Sequence, residues 1–248
     1  MGEKLLSAPL IEALCEFKFD PSSPWDWTLP GRLYNQIAYE FPERSQVEEA
    51  EVHIQLGSGN PPLSQIIKGP DRVQMKRLDG SAMVQIGPHL LAINYLRLYP
   101  NWETFRELIL NIFDEYIKLC GDYKLQRIGL RYINQIPFTG DGGGLESLIR
   151  VVPPLKGILE QPLIGFYQRY EFIFSSPKGN LIHQTGIRKT DQGPVLMLDL
   201  DFGSMELKEF VNKLSVEKWL NEAHDIIYQS FVESLNPDLY EKFKRGIK

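Results

Sequence analysis

Cysteine is scarce: Cys15 and Cys120 are the only two in 248 residues. They lie far apart, form no Cys-x-x-Cys pair and have no histidine beside them. That excludes a disulfide-built scaffold and fits two buried thiols in a reducing compartment. Long apolar runs are missing too. Nothing approaches the roughly 18 consecutive apolar residues of a membrane-crossing helix. No apolar stretch of signal-peptide length follows Met1 to Lys4. Leu6 stands where a myristoylation signal requires Ser or Thr. The expected location is the cytoplasm.

Catalytic signatures are equally thin. The four histidines, His53, His89, His183 and His224, form neither His-x-His nor His-Glu-x-x-His, so no zinc site is expected. There is no Gly-x-Ser-x-Gly elbow. Gly57-Ser58-Gly59 runs into Asn60-Pro61-Pro62, and proline lacks the N–H that would cradle a phosphate. The glycine run from Gly140 to Gly144 lacks a following Lys-Ser or Lys-Thr and reads as a flexible connection. No cofactor, metal or catalytic residue is implied.

Strong basic charge is absent as well. The net charge is −5, with 11 Lys and Arg against 17 Asp and Glu in residues 1–122 and 16 against 15 in residues 123–248. Neither half is a basic nucleic-acid surface, so nucleic acid is a disfavoured partner.

Aromatic residues, in contrast, are plentiful: 13 Phe, 11 Tyr and 4 Trp. With 43% hydrophobic residues they can build a core, and dominant disorder is excluded. Alternating apolar positions predict a strand over Pro9 to Phe19, with Ala13, Cys15, Phe17 and Phe19 on one face. A short helix is expected from Pro30 to Phe41, then strands over Val47 to Leu56, Leu63 to Lys68, Arg72 to Leu78, Ala82 to Ile86 and Leu90 to Tyr95. Asp79-Gly80 has the chemistry of a two-residue hairpin turn. Asn101 can cap a long helix whose stripe is Trp102, Phe105, Leu108, Ile109, Ile112, Phe113 and Tyr116.

The pattern then recurs. A strand is expected over Leu125 to Phe138, a short helix over Gly144 to Arg150 and a proline-bearing loop to Pro162. Strands follow at Phe166 to Phe174, Leu181 to Lys189 and Val195 to Phe202, and a long helix from Ser215 to Leu235. The expected class is α+β: two similar β-α-β(3-4)-α halves, 9–120 and 123–243, packed as one continuous domain. They would form a curved antiparallel sheet with both long helices on one face. In topology alone this looks like the saddle of the TATA-binding protein or the helix-grip fold, which carries no function by itself.

Three segments occur in order: Pro9-Leu10-Ile11-Glu12-Ala13 leading into Glu16-Phe17-Lys18-Phe19, Arg127 to Asn134 (RIGLRYIN), and Ala223-His224-Asp225 through Phe231 with Leu239 to Phe243. Together they resemble a sporadically distributed bacterial family of about this length. The resemblance implies a bacterial cytoplasmic protein and supplies no catalytic residue.

Period-two alternation places Arg127 with Arg131, Arg169 with Glu171, Gln184 with Arg188, and Asp199 with Asp201 on one polar sheet face. Two readings stand. One is a solvated face with cross-strand ion pairs. The other is a surface that binds a partner or anionic ligand through Arg127, Arg131, Arg169 and Arg188, with Asp199 and Asp201. Asp199 and Asp201 lie about 7 Å apart along a strand, too far to share one metal easily. On the apolar side, Asn134 beside Tyr132 needs polar partners: its first reading is that it ends the sheet, its second that it marks a pocket wall, and His224 lies on the last long helix. Tyr132, Asn134 and His224 are candidate pocket walls. The leading expectation is a non-catalytic interaction or regulatory module with a protein partner. The alternative is a small-molecule binder with a pocket between sheet and helices. A homodimer is compatible with either.

Overall fold

The computed structural model describes residues 5–47, 50–55, 63–68, 71–96, 99–137, 144–150, 165–205, 207 and 212–246. The first part contains β1 (Leu10–Phe19), α1 (Leu29–Ile37), β2 (Glu43–Val47), β3 (Ala50–Gln55), β4 (Leu63–Lys68), β5 (Arg72–Lys76), β6 (Ala82–Gly87), β7 (Leu90–Tyr95) and α2 (Trp102–Cys120). The second contains β8 (Leu125–Pro137), a 3-10 turn (Leu145–Ser147), β9 (Tyr167–Ser175), β10 (Lys178–Thr190), β11 (Gly193–Ser204), α3 (Lys213–Ser234) and α4 (Pro237–Arg245). The fold is α+β. Nine strands form one antiparallel sheet in the order β2-β5-β6-β7-β1-β8-β11-β10-β9, while β3 and β4 pair with each other.

Alternation sorts the two faces. Ala13, Cys15, Phe17 and Phe19 of β1 are buried, as are Ile128, Leu130, Tyr132, Asn134 and Ile136 of β8 and Leu196, Leu198, Leu200 and Phe202 of β11. The apolar stripes of α2 and α3 cover that face. Phe17 stacks on Phe113 at 4.5 Å, Phe19 on Tyr116 at 4.7 Å, and Phe202 lies 5.8 Å from Trp219. Both long helices start at an asparagine cap. Asn101 Oδ1 accepts the Thr104 N–H at 2.8 Å, and Asn212 Oδ1 accepts the Ser215 N–H at 2.9 Å.

Several sequence expectations need correction. α1 ends at Ile37, and Phe41 reaches the core through a turn in which its N–H donates to Ile37 O at 2.9 Å. Polar β2 (ERSQV) is an edge strand on β5, whereas β3 belongs with β4, so the run from Val47 is not one strand. The connection at Asp79-Gly80 spans Arg77 to Ser81 rather than two residues. Local bonds shape it, Gly80 N–H to Arg77 O at 2.9 Å and Ser81 N–H to Asp79 Oδ1 at 2.9 Å, while the Arg77 guanidinium donates to Ser81 Oγ at 3.4 Å and Tyr95 Oη at 2.9 Å and pairs with Glu40. The helix expected after Gly144 is only the short 3-10 turn, and α4 was not expected at all. Gly57 to Pro62, Gly140 to Gly143 and the proline-bearing loop of 151–162 lie outside the described residues.

Candidate functional site

The apolar face of the sheet does not meet the helices everywhere. Where β1 begins, near the C-terminal end of β8, a cavity of about 540 Å³ opens between the sheet, the start of α2 and the middle of α3. That size accommodates a small organic molecule. Tyr132, Asn134 and His224, chosen from sequence as wall residues, all line it. Period two sets Tyr132 and Asn134 on the helix-facing side of β8, and α3 carries His224 above them.

The walls are mostly aromatic. His224 stacks on Trp102 with ring centres 4.3 Å apart and planes 10° apart. Tyr132 meets the His224 ring edge-on at 6.0 Å, and Tyr99 meets Tyr132 at 5.9 Å. The Tyr99 and Tyr132 hydroxyls share a hydrogen bond of 3.0 Å. Asn134 is buried, and its Nδ2 donates to Leu198 O at 3.2 Å. At the other end, Asn221 Oδ1 accepts from Trp102 Nε1 at 3.1 Å and from Arg106 Nη1 at 2.8 Å, tying α2 to α3.

Burial sets the protonation states. It pushes His224 down to about 4, although Asp225 and Glu103 pull it upward, so the ring is neutral at pH 7. Burial raises Tyr99 and Tyr132, and both hydroxyls stay protonated. The charged residues that line the cavity are Glu103, Asp225 and Arg106. Arg106 is already engaged by Asn221 and lies 3.9 Å from Glu217. The cavity thus offers flat apolar walls, a few neutral hydrogen-bonding groups and a slightly acidic rim. Such a site holds a flat, uncharged or weakly cationic molecule better than an anion.

The other candidate residues lie on the opposite face. Arg131 grips Asp199 with two bonds, Nε to Oδ1 at 2.8 Å and Nη2 to Oδ2 at 2.5 Å. Arg127 lies 3.4 Å from Glu16 and 3.6 Å from Asp201. Its guanidinium rests over Gly129 and Gly203, neighbours across β8 and β11 where any side chain would collide with it. Burial raises Asp201 while Arg127 and Arg131 draw it down. Gln184 Nε2 reaches Asp199 at 3.5 Å. A string of three amides, Gln74 to Gln85 to Asn94, ending on the Glu12 carboxylate, crosses the other half of this face. Arg169 pairs with Glu171 on edge strand β9, and Arg188 is exposed near the end of β10. The structure therefore brings together Arg127, Arg131, Asp199 and Asp201, but not Arg169 or Arg188.

Sequence reasoning missed Tyr99, Asn221 and Tyr228 as wall residues and read Trp102 as core alone. A signal was present. Asn221, His224 and Tyr228 recur at i, i+3 and i+7 on α3, which sets polar groups on the helix face that meets the sheet. Compared with protein-family models and with curated proteins, the chain has no match in either.

Proposed function

We propose that the protein is a small-molecule binder whose ligand occupies the aromatic cavity between the sheet, α2 and α3. The observation that carries this reading is the convergence of the Trp102–His224 stack, the Tyr99–Tyr132 hydroxyl pair and the Asn134 amide on one 540 Å³ space. The ligand class is a flat, neutral or weakly cationic molecule with one or two hydrogen-bonding groups. The polar sheet face supports the alternative, a protein-binding module, less well. Arg127 and Arg131 are already met by Asp199, Asp201 and Glu16 on their own sheet.

The strand order supports the reading of two halves, 9–120 and 123–243. Outward from the central β1–β8 pair, one side runs β7, β6, β5 and the other β11, β10, β9. In each half a long asparagine-capped helix follows the strands, and the second half adds α4. On this reading the cavity sits where the two halves' helices diverge over one curved sheet, as in a helix-grip binder.

A thermal-shift screen of flat neutral heteroaromatic molecules tests the proposal. A ligand at about a hundred times its Kd adds about 2.7 kcal/mol, which raises Tm by roughly 5 to 10 °C for a chain of this size. Tyr132→Phe should weaken the same ligand about fivefold through loss of one hydrogen bond. Ligands that bind equally well to Tyr132→Phe and Asn134→Leu do not sit in this cavity.

A further inference from the structure

The two edges of the nine-stranded sheet are built differently. Edge strand β2 reads ERSQV, polar and charged, the usual guard against pairing with another chain. Edge strand β9 reads YQRYEFIFS: it carries Arg169 and Glu171, but among the described residues it is longer and far more apolar than β2. Four large apolar side chains stand exposed along it: Tyr167, Tyr170, Phe172 and Ile173. They account for four of the nine exposed large hydrophobic residues described, gathered on one strand. A long edge with exposed apolar side chains is a template for a further strand.

We infer that β9 pairs antiparallel with β9 of a second copy of this chain, joining two sheets across a two-fold axis at Tyr170. Charge selects both occupant and register. Residues directly opposite in an antiparallel pair share a face, so a two-fold contact sets residue 170−n against residue 170+n of its twin. Centred on Tyr170, Arg169 meets Glu171 of the second copy, and Glu171 meets Arg169. Moving the axis by one residue sets Arg169 against Arg169 or Glu171 against Glu171, and like charges directly opposite are destabilising. Within one chain Arg169 Nη2 already touches Glu171 Oε1 at 2.8 Å. In the dimer the four groups alternate in sign. The same register brings Tyr167 against Ile173, an aromatic and β-branched pair of the kind that favours sheet contacts. Gln168 then meets Phe172, and Tyr170 meets its own copy. A single strand-to-strand contact is small for a permanent dimer, so the association is reversible and concentration-dependent.

Sedimentation velocity on the full chain across a concentration series tests this. Wild type should pass from monomer to dimer as concentration rises. Arg169→Glu sets acids against acids, and Glu171→Arg sets arginines against arginines. Each single variant should weaken the dimer tenfold or more, and the double swap R169E/E171R should restore it. These side chains are exposed, and circular dichroism should show all three variants folded. In an independent variant, Tyr170→Cys should cross-link to itself on mild oxidation, because the paired Cα atoms fall within disulfide reach. Gln168→Cys should not, since its twin lies several residues along the strand. A monomer at the highest concentration the protein tolerates would overturn the inference. So would a dimer indifferent to the charge swap, or a monomer whose β9 amides are protected from exchange by some other occupant.

Discussion

His224 is held neutral by burial against Trp102 and Tyr132, and this has a consequence for stability. The ring's ordinary value of 6.5 falls to about 4 in the folded chain. Above pH 6.5 neither state binds the proton, and the buried ring makes its full contribution. Between 6.5 and about 4 the unfolded chain takes up a proton that the folded chain refuses. Stability is therefore lost as pH falls through that window. At about 1.4 kcal/mol per pH unit the loss totals roughly 3 kcal/mol. Urea denaturation of wild type and His224→Gln from pH 7.5 to 4 reads it out. The advantage of wild type over the variant should shrink by roughly 3 kcal/mol across the window. His183, lowered by burial, and Asp201, raised by burial, titrate in both proteins and cancel in the difference. Asp225 beside the ring and Glu103 on α2 are likewise common to both. A difference that stays flat from pH 7 to 4 would refute the reasoning, for it would mean that the ring is solvated and the cavity wet.

Other outcomes follow from the same geometry. Asn101→Ala removes the cap that Thr104 N–H donates to and should cost about 1 kcal/mol in urea denaturation. Gly203→Ala places a methyl against the tip of the flexible Arg127 side chain and should cost less than about 1 kcal/mol, with Arg127 displaced from Glu16 and Asp201 in a crystal structure. Arg131→Ala leaves Asp199 without its bidentate partner and should cost about 1 to 3 kcal/mol. The double variant R131A/D199A should recover part of that loss, and a double-mutant cycle measures how much.

The alternation of large apolar residues made β1, β8 and β11 legible, because one face of each is buried and the other is not. The stripe from Trp102 to Tyr116 made α2 legible for the same reason. Other features needed tertiary information. Asp79-Gly80 signalled a turn, but not that the Arg77 guanidinium at its start would be anchored to Glu40 and Tyr95 far away in sequence. Polar β2 has no apolar alternation, and backbone pairing to β5 makes it a strand. α4 is different, since its signals were on the page. Asn236-Pro237-Asp238 gives a cap, a first-turn proline and a first-turn acid, and Gly246 closes the helix. For the site, a polar Asn134 on an apolar register pointed toward the cavity. The spacing of Asn221, His224 and Tyr228 marked a polar face on α3, but that Trp102 and Arg106 of α2 would meet Asn221 depended on the packing of the two helices. The charged face was legible as a face, but the partners of its arginines depended on strand order: Arg131 reaches Asp199 only because β8 and β11 are neighbours.

The proposal of a ligand cavity is tested most directly by native mass spectrometry of the protein purified gently from the organism that encodes it. A bound molecule of a few hundred daltons is expected, lost on denaturation and absent from Asn134→Leu purified the same way. Bare wild-type protein, joined to no Tm shift with any flat neutral molecule of that size, would contradict the account.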